Sequence, residues 1–131
     1  MNILIFGLPG SGKTTFAKQL CKDLDSAYFN GDEIRTMFND WSFDKRSRSR
    51  QAYRMQKLCS IANKNCVVDF ICPYDKFRNH YNITVWMDTI QEGRFKNTNK
   101  IFEKPNKTDF KIVNYNYQKI ITELKEIINE K

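Results

Sequence analysis

The feature that most constrains this chain is the run Gly7-Leu-Pro-Gly-Ser-Gly-Lys13-Thr14, set directly behind the apolar stretch Ile3-Leu-Ile-Phe6. Its spacing is G-x-x-x-x-G-K-[ST], a loop whose successive N–H groups converge on phosphate oxygens. Gly7, Gly10 and Gly12 allow backbone dihedrals closed to other residues. Lys13 supplies a mobile cation for the β- and γ-phosphates, and the Thr14 hydroxyl can ligate Mg²⁺. The helix that starts there points its positive end at the same oxygens. The apolar strand before the loop and the helical pattern Phe16, Leu20, Leu24 after it set it apart from a plain Gly-rich turn. The nucleotide-binding stretch is Gly7, Pro9, Gly10, Ser11, Gly12, Lys13, Thr14 and Thr15, and its ligand is a nucleoside triphosphate.

Around this loop the pattern is that of one α/β domain of 131 residues. Residues 2–6 read as a buried parallel strand and 13–25 as the helix behind the loop. A short strand at 27–29 ends at Asn30-Gly31-Asp32, and a helix begins near Asp32. Ala52, Met55, Leu58, Cys59 and Ala62 keep helical spacing across 47–63. Strands follow at 66–71, 83–87 and 110–113, and a final helix at 117–130. The polar stretch 89–109 has no clear period and is expected to be loop, anchored by Phe95, Ile101 and Phe102. Strands alternating with helices predict a three-layer fold with a mostly parallel five-stranded sheet.

No run of eighteen apolar residues occurs, and Met1 leads straight into a strand, so a soluble, cytoplasmic protein without membrane contact is expected. Cys21, Cys59, Cys66 and Cys72 show no CxxC spacing and no nearby His, which predicts reduced thiols rather than zinc or disulfides. The net charge of +7 is spread along a Lys-, Asn- and Ile-rich chain. Its one dense cluster, Lys45-Arg-Ser-Arg-Ser-Arg50 with Arg54 a turn later, is either a solvated face or an anion site. A nucleic acid or a small anionic substrate would serve it equally well.

Ligands of an open parallel sheet gather at the carboxyl ends of its strands. The loop, Asp32, the segment 69–72 and Asp88 all fall there. Asp32 is best placed to act as base on an acceptor hydroxyl, or to hold Mg²⁺ through water; the alternative is a helix cap. Asp69 lies inside an apolar strand and needs a partner: Mg²⁺, Thr14 or an arginine. Asp88 reads as a strand-end turn residue.

Taken together, residues 7–15, Asn30-Gly-Asp-Glu-Ile-Arg35, Phe43 and Arg48 resemble the adenylylsulfate (APS) kinases. So do Phe70-Ile-Cys-Pro-Tyr74, Val85-Trp-Met-Asp-Thr89 and Phe95…Phe102-Glu103…Pro105. The resemblance runs to about residue 105. It implies ATP as donor with Mg²⁺ held at Thr14 and Asp69, and transfer to the ribose 3′-hydroxyl of adenosine 5′-phosphosulfate. It further implies that Arg35 and Arg48 hold the phosphosulfate and that Phe43 and Phe95 sandwich the adenine. Gln51, where the family usually has Asn, and Ile71 of the F-I-x-P run would join them. A homodimer is possible on the same grounds.

Three departures stand out. Asn30 replaces the first Asp of the family's D-G-D, and Cys72 replaces the Ser of F-I-S-P. The basic lid of some twenty residues is reduced to Ile90-Gln-Glu-Gly-Arg94. Slower transfer, looser ATP binding or a bulkier acceptor is the expected consequence. Two other readings remain open: a kinase of another hydroxyl in a nucleoside, sugar or nucleic acid, and a nucleotide-binding module without catalysis.

Overall fold

Strands rich in Ile, Leu and Val on both faces require a sheet covered on both sides. The computed structural model, which describes residues 1–130, has that architecture. Five strands, β1 (Asn2–Phe6), β2 (Ala27–Asn30), β3 (Cys66–Asp69), β4 (Ile83–Met87) and β5 (Phe110–Ile112), form one sheet in the order β2-β3-β1-β4-β5. Every pairing is parallel; Ile5 lies opposite Asp69 on one side and Val85 on the other. The helices are α1 (Lys13–Cys21), α2 (Gly31–Phe38), α3 (Lys45–Ala62), α4 (Lys96–Ile101) and α5 (Gln118–Asn129), with a 3₁₀ turn at Asp75–His80.

Alternation along β1 assigns the two cores. Ile3 and Ile5 face one side, where they pack with Phe16, Ala17 and Leu20 of α1 and Ile121, Leu124 and Ile128 of α5. Leu4 and Phe6 face the other, with Ile34 of α2, Ala52, Met55 and Cys59 of α3, and Phe77 of the 3₁₀ turn. The i, i+3, i+7 spacing of Ile121, Leu124 and Ile128 puts one stripe of α5 against the sheet. The strands therefore end in register on one edge of the molecule, and the loops that follow β1, β2 and β3 meet there. All four cysteines are free thiols. No helix among the described residues is long and apolar enough to cross a membrane.

Two sequence expectations are corrected. The helix after the loop stops at Cys21 rather than running to 25; Asp23 takes a left-handed conformation with φ 65°. The stretch 89–109 contains α4, although it has no apolar period. Its polar residues find partners off the helix: Thr98 accepts from Arg48 at 3.0 Å, and Asn99 bonds both the N–H and C=O of Gly93. Phe102, just beyond α4, stacks on Phe6 at 6.4 Å, as an anchor should.

Leu124 is fully buried between α5 and the sheet. Leu124→Ala should lower the free energy of unfolding by about 2–5 kcal/mol in urea titrations. A cost below 1 kcal/mol would mean that α5 is not integral to this core.

Candidate active site

Gly10 (φ 86°) and Gly12 (φ 93°) both take left-handed dihedrals, which turn the chain back over the end of β1. A side chain on Gly12 would also strike the ring of Tyr115 at 2.9 Å. Gly12 is the N-cap of α1 and offers no side-chain cap, so the first N–H groups of the helix stay open to a ligand. Lys13 is buried, and its ammonium donates to Leu8 O at 3.0 Å within the loop. Burial lowers its pKa to about 8, against the nearby carboxylates of Asp69 and Asp32, which favour the charged form. A phosphate here would remove that imbalance by supplying negative charge at short range.

Behind the loop, Asp69 ends β3 and is 2% exposed. Its carboxylate takes hydrogen bonds from the Tyr28 hydroxyl, from Asn30 Nδ2 at 3.1 Å and from the Thr14 hydroxyl at 3.4 Å. Asn30 Nδ2 also reaches Thr14 Oγ1 at 3.1 Å. Burial pushes the Asp69 carboxyl up, while the bonds from Tyr28 and Asn30 hold it back. Asp69 thus has one of its three expected partners, Thr14. Its other partners, Tyr28 and Asn30, are neutral. The departure at Asn30 gains a role here: an Asp would place a second carboxylate 3 Å from the first, whereas Asn donates to it. Asn30 Oδ1 meanwhile caps α2 by accepting from Glu33 N at 3.0 Å.

That cap belongs to Asn30, so Asp32 is not needed for it. Asp32 is exposed, lines the cleft in front of the loop, and its carboxylate has no hydrogen-bond partner among the described residues. Gly31, between them, packs so tightly on Phe70 that a Cβ would lie 2.6 Å from the Phe70 Cβ. The start of α2 is therefore fixed against β3.

Beyond Asp32 the same cleft, about 710 Å³, is lined by Arg35, Phe43, Arg48, Gln51, Ile71 and Phe95, and also by Trp41 and Arg94. Every acceptor residue expected from the sequence is thus brought to the same cleft. Their engagement differs from the simple picture. Arg35 donates through Nη1 to Asp40 O and Ser42 O, both at 2.9 Å, and its guanidinium lies 4.4 Å over the Phe43 ring. Arg48 donates to Phe43 O at 2.6 Å and to Thr98 Oγ1 at 3.0 Å. Gln51 spends its amide inside the protein, donating to Gly31 O and accepting from Arg54.

The basic cluster divides by partner. Arg48 turns into the cleft, while Arg50 and Arg54 close on the Asp40 carboxylate at 2.9 and 2.8 Å. Sequence reasoning missed Trp41, Tyr28 and Arg78. Arg78 is buried between Phe6 and Phe102 and donates to Cys72 O and Pro73 O, bracing the turn whose Cys72 has φ 44°. None of the three has a periodic or spacing signal; each is defined by what the fold brings to it. The shortened segment 90–94 folds against the loop, with Gly93 so close to Pro9 O that a Cβ would lie 3.1 Å from it. Asp88, expected as a turn residue, lies just past the end of β4 and pairs with Lys111 at 3.5 Å.

Residues 3–72 match the AAA_33 family model, described as an AAA domain. The chain belongs to this family. The loop, Asp32, both arginines and the segment 69–72 all fall within the matched residues. Over 85 residues the chain is 28% identical to the cytidine diphosphoramidate kinase of Campylobacter jejuni, an alignment covering 61% of this chain and 50% of that protein. The chain thus spans about half the length of the curated relative it matches. Two solved structures share its fold. The APS kinase CysC of Mycobacterium tuberculosis is 20% identical with a TM-score of 0.69, covering 98% of this chain and 94% of that one. The shikimate kinase of Aquifex aeolicus is 18% identical with a TM-score of 0.66, covering 99% and 97%.

Asp40 gives a direct test of how the acceptor wall is held. Its pKa falls to about 2: desolvation pushes it up, but the bonds from Arg50 and Arg54 outweigh that. Its folded-state value lies below the ordinary one near 3.9, so its contribution is fully present above about pH 4 and is lost as pH falls toward 2. Asp40→Asn should lower the melting temperature at pH 7 by several degrees, with the deficit constant to about pH 5 and narrowing below about pH 4. An equal deficit at pH 3 and pH 7 would contradict the ionic account.

Proposed function

We propose that the chain is an ATP-dependent kinase that moves the γ-phosphoryl group of ATP to a hydroxyl of a small anionic nucleotide. Adenosine 5′-phosphosulfate, through its 3′-hydroxyl, is the first acceptor of this class. The observation that carries the reading is the single cleft lined by the phosphate loop, an unpartnered Asp32, two arginines and exposed aromatic rings. A non-catalytic module has no use for a free carboxylate set between a triphosphate site and an anion site.

In this reading Lys13 and the loop amides hold the β- and γ-phosphates. The acceptor hydroxyl attacks the γ-phosphorus, the new O–P bond forms as the β–γ bridge bond breaks, and ADP leaves with the bridging oxygen. Asp32 orients the hydroxyl and takes its proton. Hard oxygen donors suit Mg²⁺, and Thr14 with Asp69 behind it would supply the protein's share beside phosphate and water. When bound there, Mg²⁺ neutralises charge on the transferred group. Arg35 keeps Nε and Nη2 without partners among the described residues, and Arg48 keeps Nη1, so both retain donors for an acceptor anion. The short segment 90–94 leaves the donor phosphates more open than a long basic lid would, with Arg94 as its contribution to the cleft.

A cytidine nucleotide is the second acceptor to consider, favoured by the name of the 28%-identical relative. A polynucleotide is less favoured, because Arg48 turns into the cleft and Arg50 and Arg54 are both paired with Asp40.

The test is transfer from γ-labelled ATP with Mg²⁺ to APS, cytidine 5′-diphosphate and shikimate in parallel. A nucleotide acceptor should become labelled, and Asp32→Ala should cut turnover by about 10²-fold or more while ATP affinity stays within about threefold. Labelling that is equal in Asp32→Ala, or ATP binding with no transfer to any acceptor, would refute the proposal.

A further inference from the structure

We propose that Trp41 is the platform on which the acceptor's nucleobase stacks, making the acceptor side selective for a planar aromatic base. This rests on the kinase reading above and specifies its acceptor. Neither the motif spacing nor the family resemblance gives Trp41 any part; it lies in the polar run that ends α2.

Three observations single it out. First, its indole lines the cleft yet is 49% exposed, a large apolar face left open where a small acceptor would sit. Second, the backbone that carries the ring is held. One nitrogen of Arg35 binds the carbonyls of Asp40 and Ser42, the residues on either side of Trp41, and the Asp40 carboxylate is fixed in turn by Arg50 and Arg54. An aromatic ring on a pinned loop loses little entropy when it stacks, which is what makes such side chains effective anchors.

Third, the ring expected to carry the base has other neighbours. Phe43 has the Arg35 guanidinium 4.4 Å and the Arg48 guanidinium 5.4 Å from its centroid. Those cation–π contacts take up part of its π-surface and fix the two cations instead. Trp41 stands beside Phe43, 6.4 Å away and tilted by 48°, so the two rings form adjoining walls rather than a stack. The indole is the larger and more electron-rich face. Phe95, 54% exposed on the same cleft, supplies a second aromatic surface.

The ligand chemistry follows from this grouping. An exposed indole next to two guanidiniums suits a molecule with a flat π-system and an anionic group one sugar apart, which a nucleotide provides. A carbocyclic or sugar acid has the anion without the planar ring.

The chain has two tryptophans, and Trp86 lies on β4 away from the cleft-lining residues, so Trp86→Phe leaves Trp41 as the sole indole. With the donor site filled by Mg²⁺ and a non-hydrolysable ATP analogue, APS, cytidine 5′-monophosphate and shikimate are titrated while Trp41 emission is followed. The base-bearing probes should quench it saturably, and shikimate should not. In steady-state assays with the acceptor that is turned over, Trp41→Ala should raise KM roughly 5- to 100-fold, as expected for one lost base stack. It should move kcat by less than about threefold, with Trp41→Phe retaining KM within about threefold. Emission indifferent to every probe, an unchanged KM in Trp41→Ala, or preferred turnover of shikimate would overturn the proposal. That last result would leave ATP-dependent phosphoryl transfer standing without its nucleotide acceptor, whereas quenching without transfer to any acceptor would sink the kinase reading and leave the base platform.

Discussion

A buried carboxyl group at the end of an otherwise apolar strand is the constraint on which this site depends. Asp69 is 2% exposed, so its hydrogen-bonding demand falls mainly on protein partners. Its partners come from two other elements: Tyr28 and Asn30 from β2 and Thr14 from α1. Meeting one residue's hydrogen-bonding demand thereby ties the phosphate loop to two strands. The same Asn30 starts α2 through its cap, and α2 carries Asp32 into the cleft beside the loop. The phosphate loop and the start of α2 are thus referred to a common point, and that point is polar rather than hydrophobic.

The arginine-lined part of the cleft follows a related logic. Guanidiniums that would repel one another are kept together by carbonyls, by Asp40 and by the face of Phe43. Each arginine spends part of its donor set inside the protein and keeps part outward. Such dual use fits a pre-organised anion site, in which the cations are fixed before the ligand arrives. Arg78 performs a similar bracing for the turn after β3, buried between two rings. A lid would add cations from above, but segment 90–94 contributes Arg94 and is itself fastened to the loop and to Asn99.

Much of the fold was legible because period and punctuation agreed. The buried runs around Ile3, Val67 and Val85, the glycine spacing, and the stripe Ile121, Leu124, Ile128 each have a local physical cause visible in one dimension. Of the cleft-lining set, Asp32 could be placed from its position after a strand, whereas Arg35, Phe43 and Arg48 were reached only through the family resemblance. What escaped were residues whose roles exist only through tertiary partners. Helix α4 has no apolar face and is held by Thr98 and Asn99; Tyr28 is one aromatic residue in a short strand until it meets Asp69. Trp41 carries no local signal, because nothing in the sequence shows that Arg35 will pin the peptides flanking it. Even Gln51, expected against the acceptor, is drawn into the hydrogen bond with Gly31 that joins α3 to α2.

The account's central claim is that donor and acceptor meet in one cleft across Asp32. The most direct measurement is a crystal structure of the chain with Mg²⁺, a non-hydrolysable ATP analogue and the nucleotide acceptor that it phosphorylates. The account predicts an acceptor hydroxyl within about 3.2 Å of the Asp32 carboxylate and in line with the terminal phosphate. It places the acceptor's anion against Arg35 and Arg48. An acceptor bound outside this cleft, or one whose reactive hydroxyl faces away from Asp32, would contradict it.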